Sequence, residues 1–329
     1  VNLKGGFFSG AVFLDGANLG SGAHVREGTI LEEEANGAHA VGLKQTLLLP
    51  FVTLGSLINF CDVLMAGGSS RKDHSEVGSS YIHFNFTPHQ DKATASLIGD
   101  VPRGVLLREK PIFLGGQGGL VGPARIAYGS VIAAGGVCRQ DVLDENRLHV
   151  PAIPAAQTLP YAQEVYKNIG RIVRNNLIYI GNVRALQAWH RTVRGIFLRD
   201  DFDRACHQGA LDNLDLIFRE RLKRLEELAA KLEPSARALE AQGAEFVGIA
   251  QEQRAFSTDW KRLRATLEAL VPPVADAALL CELASADKSS GYIAAVRGLS
   301  ESARVAATAW LRHIVDETVA PVALKKSCV

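Results

Sequence analysis

Residues 113–139, FLGGQGGLVGPARIAYGSVIAAGGVCR, constrain what this chain can fold into more than any other stretch. Bulky apolar residues recur there at every sixth position, Leu114, Leu120, Ile126 and Ile132, and small residues stand four beyond three of them, at Ala124, Ser130 and Gly136. A helix repeats at 3.6 residues and a strand at two, so neither accounts for a period of six. A six-residue repeat is the pattern of a parallel β-helix, three hexads to a coil. The bulky residue of each hexad is then expected to point inward, and the small one to sit where the backbone turns a corner.

The same period is present at the front of the chain. Phe13, Leu19, Val25 and Leu31 are spaced by six, with Ala17, Ala23, Thr29 and Ala35 four beyond each. The register slips after that, resumes at Val41 and Leu47, and slips again near Leu54. Slips mark segments extruded from the repeat, where such proteins carry their chemistry. The longest irregular segment, 66–100, holds three of the nine histidines, His74, His83 and His89. A solvated loop and a functional insert are both open readings of it.

Composition changes near residue 150. Glycine and β-branched residues dominate before it; Ala, Leu, Glu and Arg, good helix formers, dominate after it. The junction HVPAIPAAQTLP, with three prolines in twelve residues, reads as a linker. Two domains are expected, 1–150 built from the repeat and 151–329 helical, the latter a packing or assembly module. Residues 211–232 place Leu214, Ile217, Leu225 and Leu228 largely on one helical face, and Pro234 is expected to end that helix. Further amphipathic runs cover roughly 160–196, 235–270 and 299–319. His190, His207 and His313 are isolated and read as surface or capping residues.

The formal net charge is +1, so electrostatics supply no reason to expect nucleic acid or a membrane surface as partner. Five scattered cysteines with no C-x-x-C pair point to a reduced, cytoplasmic protein without a disulfide framework or structural zinc. The opening VNLKGGFFSG has no signal-peptide pattern, and no apolar run approaches the length of a membrane span. Beginning on valine fits an alternative start codon or a fragment.

From Ser75 to Pro151 the chain resembles a known family. EVGSSYIHFNF is similar to that family's N-I-G-A-G-T-I-T-C-N-Y, SLIGD to its I-I-G-D, and DVLDENRLHVP to its D-V-A-E-N-E-L-A-L-S-R-V-P. The 113–137 stretch matches its hexads between these. The family is the C-terminal acetyltransferase domain of the bifunctional N-acetylglucosamine-1-phosphate uridyltransferase/glucosamine-1-phosphate acetyltransferase. The resemblance implies a left-handed parallel β-helix, an exception to the right-handed crossover rule, assembled as a homotrimer. It also implies acetyl-CoA, or another acyl-CoA, as donor and an amino sugar phosphate or nucleotide sugar as acceptor. No G-x-G-T-R-M loop is present, so no uridyltransferase half is expected.

Carried over by position, the resemblance places the donor at Asn85, Phe86, Gly116, Ala134, Arg147 and His149. Phe86 stands for a tyrosine and His149 for an arginine that approaches the CoA phosphates, with Arg147 able to compensate. On the acceptor side Leu64 stands where a lysine is expected. Glu76 replaces an asparagine, Lys92 lies near a sugar-phosphate lysine, and Lys44 stands in for an upstream arginine. The coil bearing the family's catalytic histidine is missing. Acyl transfer needs a base near neutral pKa, for which His74 is the first candidate, His83 the second and His89 the third. The glycines of 115–119 serve either as oxyanion donors or as tight corners. No metal is expected. Two functions stay open: a CoA-dependent acyltransferase, or a non-catalytic scaffold binding a nucleotide sugar or a protein.

Overall fold

The computed structural model describes residues 1–89, 91–158 and 161–321. Short parallel strands run from the N-terminus to His149, and long helices follow from Ile169. Within 113–139 the hexads act as a register rule. Phe113 pairs with Val131, Leu114 with Ile132 and Leu120 with Cys138, eighteen residues or three hexads further on. Like positions therefore stack on like, and Leu114, Leu120, Ile126 and Ile132 are all buried.

The strands form two parallel sheets. One has eight strands, from Asn2–Leu3 through Glu76–Val77 and Phe113–Leu114 to Leu148–His149. The other has eleven and is branched. The branches fuse because Gly42–Leu48 and Ile58–Met65 run on where the other hexads break into two short strands. At Gln45 and Asp62 the backbone enters the left-handed region, with φ of +47° and +61°, and then resumes as strand. The flanking pairs Lys44–Cys61 and Thr46–Val63 stack these two irregular residues on each other. A separate antiparallel pair, Gly68–Ser70 with Asp73–His74, projects from residues 66–100. That segment also contributes strands at Glu76–Val77, Tyr81–Phe84 and Ser96–Ile98, so part of it belongs to the two sheets and the rest connects them.

The expected left-handed parallel β-helix is therefore corrected. Among the described residues the strands make two parallel sheets, eight and eleven strong, which with seven α-helices give an α/β arrangement. They do not make the equal faces of a closed solenoid. The fused strands are the physical reason: where a corner would separate two faces, the chain passes through one αL residue and keeps one continuous sheet.

Among the described residues there are seven α-helices, α1 (Val101–Gly104), α2 (Ile169–Thr192), α3 (Asp201–Glu240), α4 (Val247–Ala269), α5 (Ala277–Ser285), α6 (Gly291–Gly298) and α7 (Glu301–Val319). α2 buries residues on all sides, among them Val173, Tyr179, Val183 and Trp189, as a helix held between other layers must. α3 starts on Asp200, whose carboxylate accepts from the Asp203 N–H at 2.8 Å. It does not stop at Pro234, as the sequence suggests, but continues to Glu240. α5 and α6 lie in a region given no helix by sequence.

One apolar core joins strands and helices, from Leu19 and Leu114 to Leu177, Leu214 and Trp310. Polar side chains stitch the same boundary. Asn176 Nδ2 donates to the Ala93 carbonyl at 2.9 Å, Asn182 Oδ1 accepts from the Val101 N–H at 2.8 Å, and Asn213 Nδ2 donates to the Thr29 carbonyl.

Candidate functional site

Four of the residues singled out by sequence, Glu76, Gly116, Ala134 and His149, lie on or just past four successive strands of the eight-stranded sheet. Glu76 pairs with Phe113, Phe113 with Val131, and Val131 with Leu148, so Glu76 begins a rung of this ladder and His149 follows its last member. Just past these strands the chain turns at Gly78, Gly115–Gly116 and Ala133–Ala134. The Gly78 N–H donates to the Leu114 carbonyl at 2.8 Å, that of Gly115 to Ile132 at 2.9 Å, and that of Ala133 to His149 at 2.9 Å. The backbones approach so closely that a Cβ on Gly115 would lie 2.3 Å from the Ala134 nitrogen, and one on Gly78 2.4 Å from the Gly116 nitrogen. Glycine is required at both by contact between turns. Ala134 is exposed, and Phe113, Val131 and Leu148 form an exposed apolar row beside it.

His74 lies beside Glu76. Its Nε2 is 3.9 Å from a Glu76 carboxylate oxygen, and the side chain is 19% exposed. Its Nδ1 is buried and has no hydrogen-bond partner. A partly exposed imidazole is the side chain suited to act as a base near neutral pH, although neither ring nitrogen is within hydrogen-bond distance of a carboxylate here. Arg147 is exposed near the end of the ladder, and its carbonyl accepts from the Val131 N–H at 2.8 Å.

The remaining residues are elsewhere. His83 lies in the core, 2% exposed. Its Nδ1 donates to the Cys61 carbonyl and its Nε2 accepts from the Ser96 hydroxyl, both at 2.7 Å, while Ser96 Oγ accepts in turn from the Ala124 N–H. Donation to the carbonyl puts a proton on Nδ1, and burial disfavours a second one on Nε2. Burial pushes the His83 pKa down to about 4. With both nitrogens engaged and no route to solvent, His83 is not placed to take a proton from a substrate. Asn85 and Phe86 follow the strand Tyr81–Phe84 in the other sheet. The Asn85 amide donates to Asp62 at 3.4 Å, and the Phe86 ring is 60% exposed. Lys44 is bound to Glu27 at 2.8 Å and holds that carboxyl below its ordinary range. Lys92 is exposed, and its carbonyl accepts from Arg221. His89 accepts at Nδ1 from the Glu164 N–H at 3.0 Å.

A second group was not singled out by sequence. Glu32 and Glu33, from the end of the strand Thr29–Leu31, meet α2 and the turn after it. The Glu32 carboxylate accepts from His190 Nε2 at 2.8 Å and from Arg194 Nη2 at 2.7 Å; Arg194 also grips Glu33 at 2.7 Å and 2.9 Å. The Tyr292 ring centroid lies 3.9 Å from the Arg194 guanidinium carbon. Burial alone would raise the Glu32 pKa, but Arg194 and His190 outweigh it and hold the carboxyl below its ordinary range. His190 is thus a buried member of an ion cluster rather than the surface or capping residue expected. The cluster floors a cavity of about 600 Å³ with Phe13, Phe197 and Tyr292 on its walls. The Glu-Glu-Glu run at 32–34 was the available signal, but nothing local distinguishes it from a solvated charged turn.

Among the described residues, no group of three or more His, Cys, Asp or Glu side chains is arranged to hold a metal ion, and no helix is long and apolar enough to cross a membrane. No family model matches the chain, and no curated protein matches it either.

Proposed function

We propose that the chain is a CoA-dependent acyltransferase acting on a sugar, sugar phosphate or nucleotide sugar. What carries the reading is that Glu76, Gly116, Ala134 and His149 lie on or just past successive strands of one sheet, with His74 beside Glu76. The exposed row Phe113, Val131 and Leu148 suits an extended, weakly polar pantetheine arm, and Arg147 and His149 suit its phosphates. His74 takes the proton of the acceptor amine or hydroxyl as that atom attacks the thioester carbonyl. The new C–N or C–O bond forms, the C–S bond breaks, and the imidazolium returns its proton to the departing thiolate. A cytoplasmic location fits the use of CoA and the four free cysteines among the described residues. A homotrimer fits the exposed apolar row.

Calorimetry with acetyl-CoA and CoA tests the donor side, with dissociation constants expected between about 1 μM and 1 mM. Absence of binding by either ends this reading. Given binding, a panel of amino sugars and sugar nucleotides identifies the acceptor through thiol release. His74→Ala should lower transfer by ~10²–10⁴-fold with CoA affinity unchanged. His83→Ala should act on stability instead.

A second reading, a non-catalytic binder of a nucleotide sugar, is favoured by the 600 Å³ cavity with its aromatic walls and buried ion cluster. UDP-N-acetylglucosamine binding that is lost in Tyr292→Ala, with no thiol release under any condition, would support it over the first.

A further inference from the structure

A cavity of about 450 Å³ opens where the strands Ser96–Ile98 and Arg125–Ile126 meet α2 and α7. Its walls are apolar at Ile126, Ile178 and Val315, and three arginines face it: Arg125 from the strand, Arg174 from α2 and Arg312 from α7. Of these three, only Arg125 makes an ion pair with a described residue. Arg125 has one carboxylate in reach, Asp141 at 3.8 Å. That carboxylate also accepts from Arg171 at 3.1 Å, from the Asn175 amide at 2.9 Å and 3.1 Å, and from the Arg125 N–H at 3.0 Å. Arg125 Nε is buried and has no hydrogen-bond partner.

Arg174 and Arg312 make no ion pair with any described residue. Arg103 and Glu145 also line the cavity, but they bind each other at 2.6 Å, and Asp100 holds Arg103 as well. Asp316 on α7 is the remaining acidic lining group, one carboxylate against the three arginines. Burial pushes the Arg125 guanidinium below its ordinary pKa; Asp141 opposes this, while Arg174 and Arg171 add to it. An anion among these three side chains would relieve the repulsion.

We propose that this cavity binds a phosphate monoester carried on a small apolar or aromatic body. Planar guanidinium forks match the oxygens of a phosphoryl group. The apolar wall accounts for the organic portion, for which inorganic phosphate has no counterpart. None of the residues placed in acyl transfer lines this cavity, so the two proposals stand or fall separately.

Calorimetry on the full chain with phenyl phosphate, inorganic phosphate and phenol tests it. Phenyl phosphate should bind about tenfold more tightly than inorganic phosphate, because burial of its ring adds to the same anion contacts, and phenol should not bind measurably. Arg174 and Arg312 are exposed, so the double variant Arg174→Gln, Arg312→Gln should keep the parent melting temperature while losing about tenfold or more in phenyl phosphate affinity. No binding of phenyl phosphate, phenol binding as tightly as its phosphate, or unchanged affinity in the double variant would each overturn the proposal.

Discussion

Arg221 shows how single residues hold the unusual part of the sheet in place. From the middle of α3, 1% exposed, its Nη2 donates to Gln45 Oε1 at 2.9 Å and to Asp62 Oδ1 at 2.8 Å. Gln45 and Asp62 are the two αL residues through which the long strands run on, so one guanidinium fixes both. Asn85, expected from sequence to hold CoA, completes this group by donating to the other Asp62 oxygen. Arg221→Met would leave Asp62 buried without its charge partner and should cost about 3–5 kcal/mol in urea unfolding. Adding Asp62→Leu should recover part of the loss, since removing both charges is far less costly than removing one. His83 makes a pH prediction at the same scale. Its folded pKa is about 4, against an ordinary value of 6.5. Between these values the unfolded chain binds the extra proton and the folded chain does not, so stability should fall as pH drops from about 6.5 towards 4. A shift of this size corresponds to roughly 3 kcal/mol by the bottom of the window. Urea midpoints at several pH values would check this, and His83→Gln should flatten part of the slope. His190, also held near 4 by burial despite its bond to Glu32, adds to it in the same direction.

Elements were legible where their pattern is local and periodic. The hexads of 113–139 set the pairing of Leu114 with Ile132, because stacking a small or bulky residue on its like needs no information from elsewhere. The fused strands were not legible. An αL residue at Gln45 or Asp62 carries no glycine or asparagine signal, and its cause, Arg221, is far along the chain. The close contact between the turns at Gly115 and Ala134 follows from the repeat, whereas the Glu32–His190–Arg194 cluster joins residues with no shared pattern. Pro234 misled for a related reason. Proline lacks an N–H and crowds the preceding turn, which normally ends or bends a helix. In α3 packing on both sides of it overrides that tendency: Leu232, Ser235, Ala236 and Leu239 are buried, and Ser235 Oγ accepts from the Tyr166 N–H at 2.9 Å. Pro234 itself is exposed, so Pro234→Ala should restore a helical hydrogen bond without disturbing that packing. An increase in stability of ~1–3 kcal/mol, read from thermal unfolding, is expected. A loss would mean that the restricted backbone at Pro234 is what holds Ser235 where it reaches Tyr166.

At the scale of the whole molecule, the covered branch of the larger sheet has no solvent-facing alternative to the helices. α3 lies along Ala11–Phe13 and Thr29–Leu31, close enough that a Cβ on Gly28 would meet Leu216 at 3.3 Å and one on Gly209 would meet Val12 at 3.2 Å. Buried charges cross the same boundary: Arg221 to Asp62, and Arg194 to Glu32. A chain ending at residue 150 would leave Asp62 and Glu32 without their arginines and expose the apolar side chains that α2 and α3 cover. Both losses act on the folded state, and together they exceed the margin of about 5–15 kcal/mol by which most domains are stable. The full chain should therefore unfold in one transition, with far-UV circular dichroism and tryptophan fluorescence coincident. The fluorescence is informative because Trp189, Trp260 and Trp310 all lie on the helices, while the strands contribute to the far-UV signal. Residues 1–150 alone should bind a hydrophobic dye and show no cooperative melt. Two separated transitions in the full chain, or a cooperative melt of 1–150 by itself, would show that the strands hold together without the helices.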